Sequence, residues 1–134
     1  MDARLDPSAA FGIPLGTAHV IRNAGGCVKD SLRSIVISQQ LLGTKEIILI
    51  KHTGCGMLLF DTPTATGLVR KNLGEEAVQE LQEEFGGQFL TYADLEGNVK
   101  ADVEYLKKTK LVHPDIVISG WVYEVETGKV RQVV

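Results

Sequence analysis

His52 and Cys55, in Lys51-His52-Thr53-Gly54-Cys55-Gly56, are the side chains of this 134-residue sequence best suited to hold a metal ion. An imidazole nitrogen and a thiolate sulfur are donors that zinc prefers. Gly54 and Gly56 permit a tight turn that aims both side chains at one point. On spacing alone, a hydrogen-bonded histidine beside a buried free thiol fits the pattern equally well. Near the chain's start, Asp2 and Arg4 put a carboxylate and a guanidinium on the same side of an extended segment, where they can pair. A frayed, solvated terminus is the alternative there. Cys27, after Gly26, reads as a buried thiol at a helix start. His19 reads as a packed strand residue, and neither it nor His113 is assigned a proton-shuttle role.

Particular elements must position these groups. Glu46-Ile47-Ile48-Leu49-Ile50 is an apolar, largely β-branched run, expected to form a strand buried on both faces. Such a strand delivers His52 and Cys55 to the carboxyl edge of a sheet, where open α/β folds place their sites. Residues 7–16 are punctuated by prolines and glycines and read as a loop. Ala18-His19-Val20-Ile21-Arg22 reads as a short strand, and Asn23-Ala24-Gly25-Gly26 as a tight turn. A helix capped by Asp30 or Ser31 then runs to about residue 42 and ends at Gly43. Strand, helix and strand at this spacing predict a βαβ unit with a parallel pair.

Thr62-Pro63 opens a second helix, and residues 75–85 form an acidic third that stops at Gly86-Gly87. Residues 95–110 carry a Val99, Val103, Leu106 stripe and lysines near the C-terminal end, the pattern of a fourth helix. Residues 116–123 read as a buried strand, Glu126-Thr127-Gly128-Lys129 as a hairpin turn, and residues 130–134 as a return strand. The expected fold is one α/β domain over residues 1–134: a mostly parallel central sheet, flanking helices and a C-terminal hairpin strand.

Composition narrows the function. A hydrophobic fraction of 44% and a charged fraction of 23% belong to a soluble globular domain. No apolar run reaches membrane-spanning length, and no secretory signal is visible. A net charge of −3 argues against a nucleic-acid partner. Two cysteines are too few for a secreted disulfide scaffold of this size, which favours a reducing compartment, with the cytoplasm as the default.

Four motifs occur in order: Met1-Asp2-Ala3-Arg4; residues 18–26; His52-Thr53-Gly54-Cys55-Gly56; and Gly120-Trp121-Val122-Tyr123 through Thr127-Gly128-Lys129. Together they make the chain similar to β-class carbonic anhydrases of the small prokaryotic and fungal type. The resemblance implies a β-carbonic anhydrase-like fold assembled as a homodimer or higher homo-oligomer. It implies a zinc cofactor and reversible hydration of carbon dioxide to bicarbonate by a metal-bound hydroxide. His52 and Cys55 match two of three protein ligands, and Asp2 and Arg4 match the catalytic aspartate–arginine dyad. By the same resemblance Asp2 accepts a hydrogen bond from the metal's water, and Arg4 holds Asp2 clear of the metal.

One departure stands out. The family's first zinc ligand is a cysteine two residues before the aspartate, a position that would precede Met1. The strand that carries it, and an N-terminal helical arm, are also missing from the sequence. Several unpaired backbone groups at about 1–3 kcal/mol each would rival the ~5–15 kcal/mol that stabilises a domain. The chain is therefore expected to be the C-terminal part of a longer polypeptide. By itself it is expected to show little or no CO₂ hydration. Two rival readings stay open: a carbonyl sulfide or carbon disulfide hydrolase on the same scaffold, and a non-catalytic relative acting as an interaction partner. A nucleotide-binding domain is disfavoured, because Asn23-Ala24-Gly25-Gly26 lacks the spaced glycine fingerprint.

Overall fold

The structure, a computed structural model, describes residues 1–134. Five helices and three strands follow one another as α1 (Pro7–Phe11), α2 (Val28–Gln40), β1 (Glu46–His52), α3 (Thr62–Leu73), α4 (Glu75–Phe85), α5 (Leu95–Lys108), β2 (Val117–Glu124) and β3 (Lys129–Gln132). Short 3-10 turns at Ala24–Gly26 and Gly56–Leu58 flank the site segments. The architecture is α/β with a C-terminal hairpin strand, as the sequence predicts. The sheet is small and mixed: β1 pairs with β2 in parallel, and β2 with β3 antiparallel, in the order β1-β2-β3.

Helix boundaries follow local chemistry. Asp61 caps α3 by accepting from the Thr64 amide, with Pro63 in the first turn. Gly86 closes α4 in a left-handed conformation. Asp30 lies inside the first turn of α2 rather than at its cap, and Cys27 takes the cap position. The expected loop at residues 7–16 contains α1, because Asp6 accepts from the Ala9 amide and Pro7 pre-sets the first helical residue.

The core lies on one side of β1. Val99, Val103 and Leu106 form a stripe on α5 and pack with Val122 of β2; all four are fully buried. Gly120 makes the approach of α5 possible, since a Cβ there would sit 2.5 Å from a Val99 methyl and 3.0 Å from a Val103 methyl. The β1–β2 register runs from Glu46 opposite Val117 to His52 opposite Tyr123. Beyond it, the Thr53 amide donates to the Tyr123 carbonyl at 3.0 Å. Thr53 Oγ1 donates to Glu126 at 2.8 Å, and the Val125 amide donates to Thr53 Oγ1 at 3.0 Å. The end of β1 is thus clamped by the β2–β3 connection.

Two expectations fail on the other side. Residues 18–22 are not a strand, so the parallel pair predicted between them and residues 46–50 does not form. A ladder needs strands about 4.8 Å apart, whereas a cleft of about 830 Å³ is lined by both segments. Val20 and Ile21 are exposed as a result. Nor is β1 buried on both faces: Leu49 is buried, while Ile48 is 49% exposed. The parallel partner of β1 is β2, reached through α3, α4 and α5 rather than through α2.

Candidate active site

The site forms where β1 ends. His52 is its last residue, and the turn after it places Cys55 under cover, 5% exposed. Gly54 sits at φ +61°, a conformation that favours glycine, and its carbonyl accepts from Arg4 Nη2 at 3.2 Å. His52 Nδ1 lies 2.8 Å from the Thr53 carbonyl. A carbonyl can only accept, so Nδ1 carries the proton and Nε2 keeps its lone pair for a metal or an acid.

The N-terminal segment arches over this turn. Arg4 grips Asp2 with both prongs: Nε donates to Oδ1 at 2.9 Å and Nη2 to Oδ2 at 2.7 Å, while the Arg4 amide donates to Oδ1 at 2.9 Å. These hydrogen bonds hold the Asp2 carboxyl well below the usual carboxylate range. Asp2 Oδ2 stands 3.6 Å from His52 Nε2, beyond a hydrogen bond but facing the same space. Arg22 anchors the arch by donating to the carbonyls of Leu5 at 2.7 Å and Asp2 at 2.6 Å. The Met1 ammonium donates to the Asn23 carbonyl at 2.9 Å.

Beneath the turn lies a buried cation. Lys51 is 2% exposed and pairs with Asp102 of α5 at 2.9 Å. It also donates to the carbonyls of Gly25 at 2.7 Å and Gly26 at 3.2 Å, and lies 5.0 Å from the Tyr92 ring centroid. One ammonium therefore joins β1, α5 and the Ala24–Gly26 turn. Gly25, at φ +66°, leaves no room for a side chain, because a Cβ would meet Met57 at 3.0 Å and Tyr92 at 3.2 Å.

All four site residues predicted from sequence, Asp2, Arg4, His52 and Cys55, are gathered here. Cys27 is a buried thiol at the start of α2, with its amide donating to Asn23 Oδ1 at 2.7 Å, and does not line the cleft. His19 is exposed, with Nδ1 2.7 Å from Ser38 Oγ, rather than packed in a strand; the missing ladder at residues 18–22 leaves it in solvent. His113 is exposed beside Asp115. Lys51, Tyr92 and Arg22 were not picked out by sequence reasoning. The buried alternation of Leu49 and Lys51 was a usable signal for the lysine.

His52 and Cys55 fit zinc in donor chemistry, and the His52 tautomer leaves the correct nitrogen free. They fill two positions. No group of three histidine, cysteine, aspartate or glutamate side chains is assembled to hold a metal unaided.

Comparison with known proteins agrees with this geometry. The family model described as carbonic anhydrase matches residues 1–130. Beta-carbonic anhydrase 1 of Mycobacterium tuberculosis is 38% identical over 134 residues, covering 99% of this chain and 77% of that protein. Carbon disulfide hydrolase of Acidithiobacillus thiooxidans is 37% identical over 144 residues, covering 98% of this chain and 72% of that protein. The solved carbonic anhydrase from Glaciozyma antarctica superposes with a TM-score of 0.93 at 48% identity, covering all of this chain and 78% of that one. The chain belongs to the carbonic anhydrase family, in its beta class.

Proposed function

We propose that this site serves the zinc-dependent, reversible hydration of carbon dioxide to bicarbonate and a proton. The observation that carries the reading is the Asp2–Arg4 pair, fixed by three hydrogen bonds and aimed at the free nitrogen of His52. Zinc, when bound, supplies a nucleophilic oxygen at neutral pH by acidifying water to a pKa of about 7. His52 Nε2 and Cys55 Sγ would hold the ion. Thr53 fixes the imidazole through Nδ1. Asp2 Oδ2 would accept a hydrogen bond from the attacking water and orient it toward the substrate carbon. Arg4 holds Asp2 away from the metal by occupying both carboxylate oxygens.

A third donor completes the set, since catalytic zinc normally has three protein ligands. An added thiol is expected to accelerate hydration by supplying such a donor. A homodimer or higher homo-oligomer is proposed on the same footing: Leu15, Leu59 and Leu73 are large apolar side chains left 99%, 83% and 72% exposed. The second reading is hydrolysis of carbon disulfide or carbonyl sulfide, favoured by the 37% identity to a carbon disulfide hydrolase.

Stopped-flow assays of the zinc-loaded protein with carbon dioxide, carbonyl sulfide and carbon disulfide, with and without added thiol, test both readings. Carbon dioxide is expected to be the fastest substrate, and His52→Ala and Cys55→Ser each to abolish zinc uptake and turnover together. Zinc uptake that survives both substitutions overturns the site. Turnover of carbon disulfide alone replaces the first reading with the second.

A further inference from the structure

The free edge of β1 carries a row of backbone groups without partners. The Lys45 carbonyl accepts from the Val117 amide at 3.2 Å, and the Thr53 amide donates to the Tyr123 carbonyl at 3.0 Å, so odd-numbered residues here turn their backbone toward β2. With a period of two, the N–H and C=O groups of Glu46, Ile48 and Ile50 point the other way, into the cleft that these residues line. The Ile50 carbonyl confirms the direction, since a Cβ on Gly26 across the cleft would lie 3.2 Å from its oxygen. The opposite wall is equally bare. None of residues 18–22 makes a backbone–backbone hydrogen bond, and Val20 and Ile21 are exposed. At the other end of the cleft, His19 Nδ1 lies 2.7 Å from Ser38 Oγ, which lies 2.8 Å from Thr44 Oγ1. There Gln39, 8% exposed, lines the cleft with both amide atoms, Oε1 and Nε2, buried and without a hydrogen bond.

We propose that this cleft is a strand acceptor: it binds an extended, uncharged, apolar segment of another polypeptide, which adds to the free edge of β1. Donors and acceptors repeating every second residue along one edge are matched by another strand and by no compact ligand. A slot with a wall on each side suits one extended segment rather than the edge of a second folded copy. Exposed strand edges are ordinarily blunted by lysine, proline or a bulge. The run Ile47-Ile48-Leu49-Ile50 has none of these and keeps a regular register with β2, so its other edge is ready to pair. The Gln39 amide offers a donor and an acceptor, the same pair that a peptide group offers, and receives the first peptide group of the segment. Val20, Ile21 and Ile48 are covered by the segment's side chains, which is why those are apolar and uncharged.

The probe is a short capped peptide of alternating valine and threonine. Its counterpart carries N-methyl groups on alternate residues, which removes donors along one edge and keeps every side chain. Amide hydrogen exchange of the 134-residue chain is followed residue by residue by NMR. In the free chain the Ile48 and Ile50 amides are expected to exchange roughly tenfold or more faster than those of Ile47 and Leu49, which face β2. Saturating peptide is expected to slow Ile48 and Ile50 by roughly tenfold or more. Calorimetric titration is expected to find the N-methylated peptide binding about tenfold more weakly, and the parent peptide binding about tenfold more weakly to Gln39→Leu, whose fold is checked by circular dichroism. Equal binding of the two peptides, binding without slowing at Ile48 and Ile50, or no binding overturns the proposal. Slow exchange at both amides in the free chain that deepens with protein concentration places a second copy in the cleft and overturns it too. Equal binding by Gln39→Leu overturns the anchoring role of that amide.

Discussion

The two long sides of β1 are built differently. Toward β2 and α5 the strand is paired along its whole length, and Val122, Val99, Val103 and Leu106 beyond it are fully buried. Toward residues 18–22 its edge is unpaired, Ile48 is half exposed, and a cleft of about 830 Å³ takes the place of a neighbour. The candidate site sits where the two sides meet, at His52. Packing on one side can fix the backbone that carries His52 and Cys55. The arch of residues 1–5 is held by polar contacts from Arg4 and Arg22.

The sharpest way to break this contrast is Asp102→Ala. It leaves the Lys51 ammonium buried without its carboxylate, and removal of one member of a buried pair costs about 3–5 kcal/mol. Denaturant unfolding is expected to show that loss, and the double variant with Lys51→Met to recover most of it. Leu106→Ala, in the fully buried stripe of α5, should cost about 2–5 kcal/mol in the same assay. Gly120→Ala drives a methyl into Val99, Val103 and Val134, and overpacking of this kind costs about 1–3 kcal/mol. On the open side, Ile48→Ala is expected to stay within about 0.5 kcal/mol, the range for a surface substitution. A loss at Ile48 comparable to that at Leu106 would show that the cleft is closed in solution.

The smallest effect on stability, and the most direct test of the arch, concerns Asp2. Arg4 lowers its folded-state pKa, so the pair's contribution is present above the unfolded value of about 3.9. That contribution is lost only as pH falls through the depressed value. A carboxyl titration followed by NMR should therefore find Asp2 ionised well below pH 4. In Arg4→Ala the midpoint should rise toward the ordinary value. An unchanged midpoint would mean that the two side chains do not pair in solution.

Much of this was legible in residue types. The strand 46–50, the helix pattern of Val99, Val103 and Leu106, the Thr62-Pro63 helix start and the turn at Thr127-Gly128 each rest on interactions within a few residues. The meeting of Asp2 with Arg4 and of both with the turn after His52 was anticipated through the resemblance carried by short motifs. Residues 18–22 were misread because a β-prone run becomes a strand only when another strand lies beside it. His19 followed that error into solvent.

Sequence by itself therefore determined most of the local elements, since helix periodicity and capping are properties of neighbouring side chains. Tertiary structure alone decided which edge of β1 is paired and that Lys51 is buried against Asp102. Those contacts join residues tens of positions apart. Their formation depends on where α5 settles on the sheet, which no short window of sequence contains.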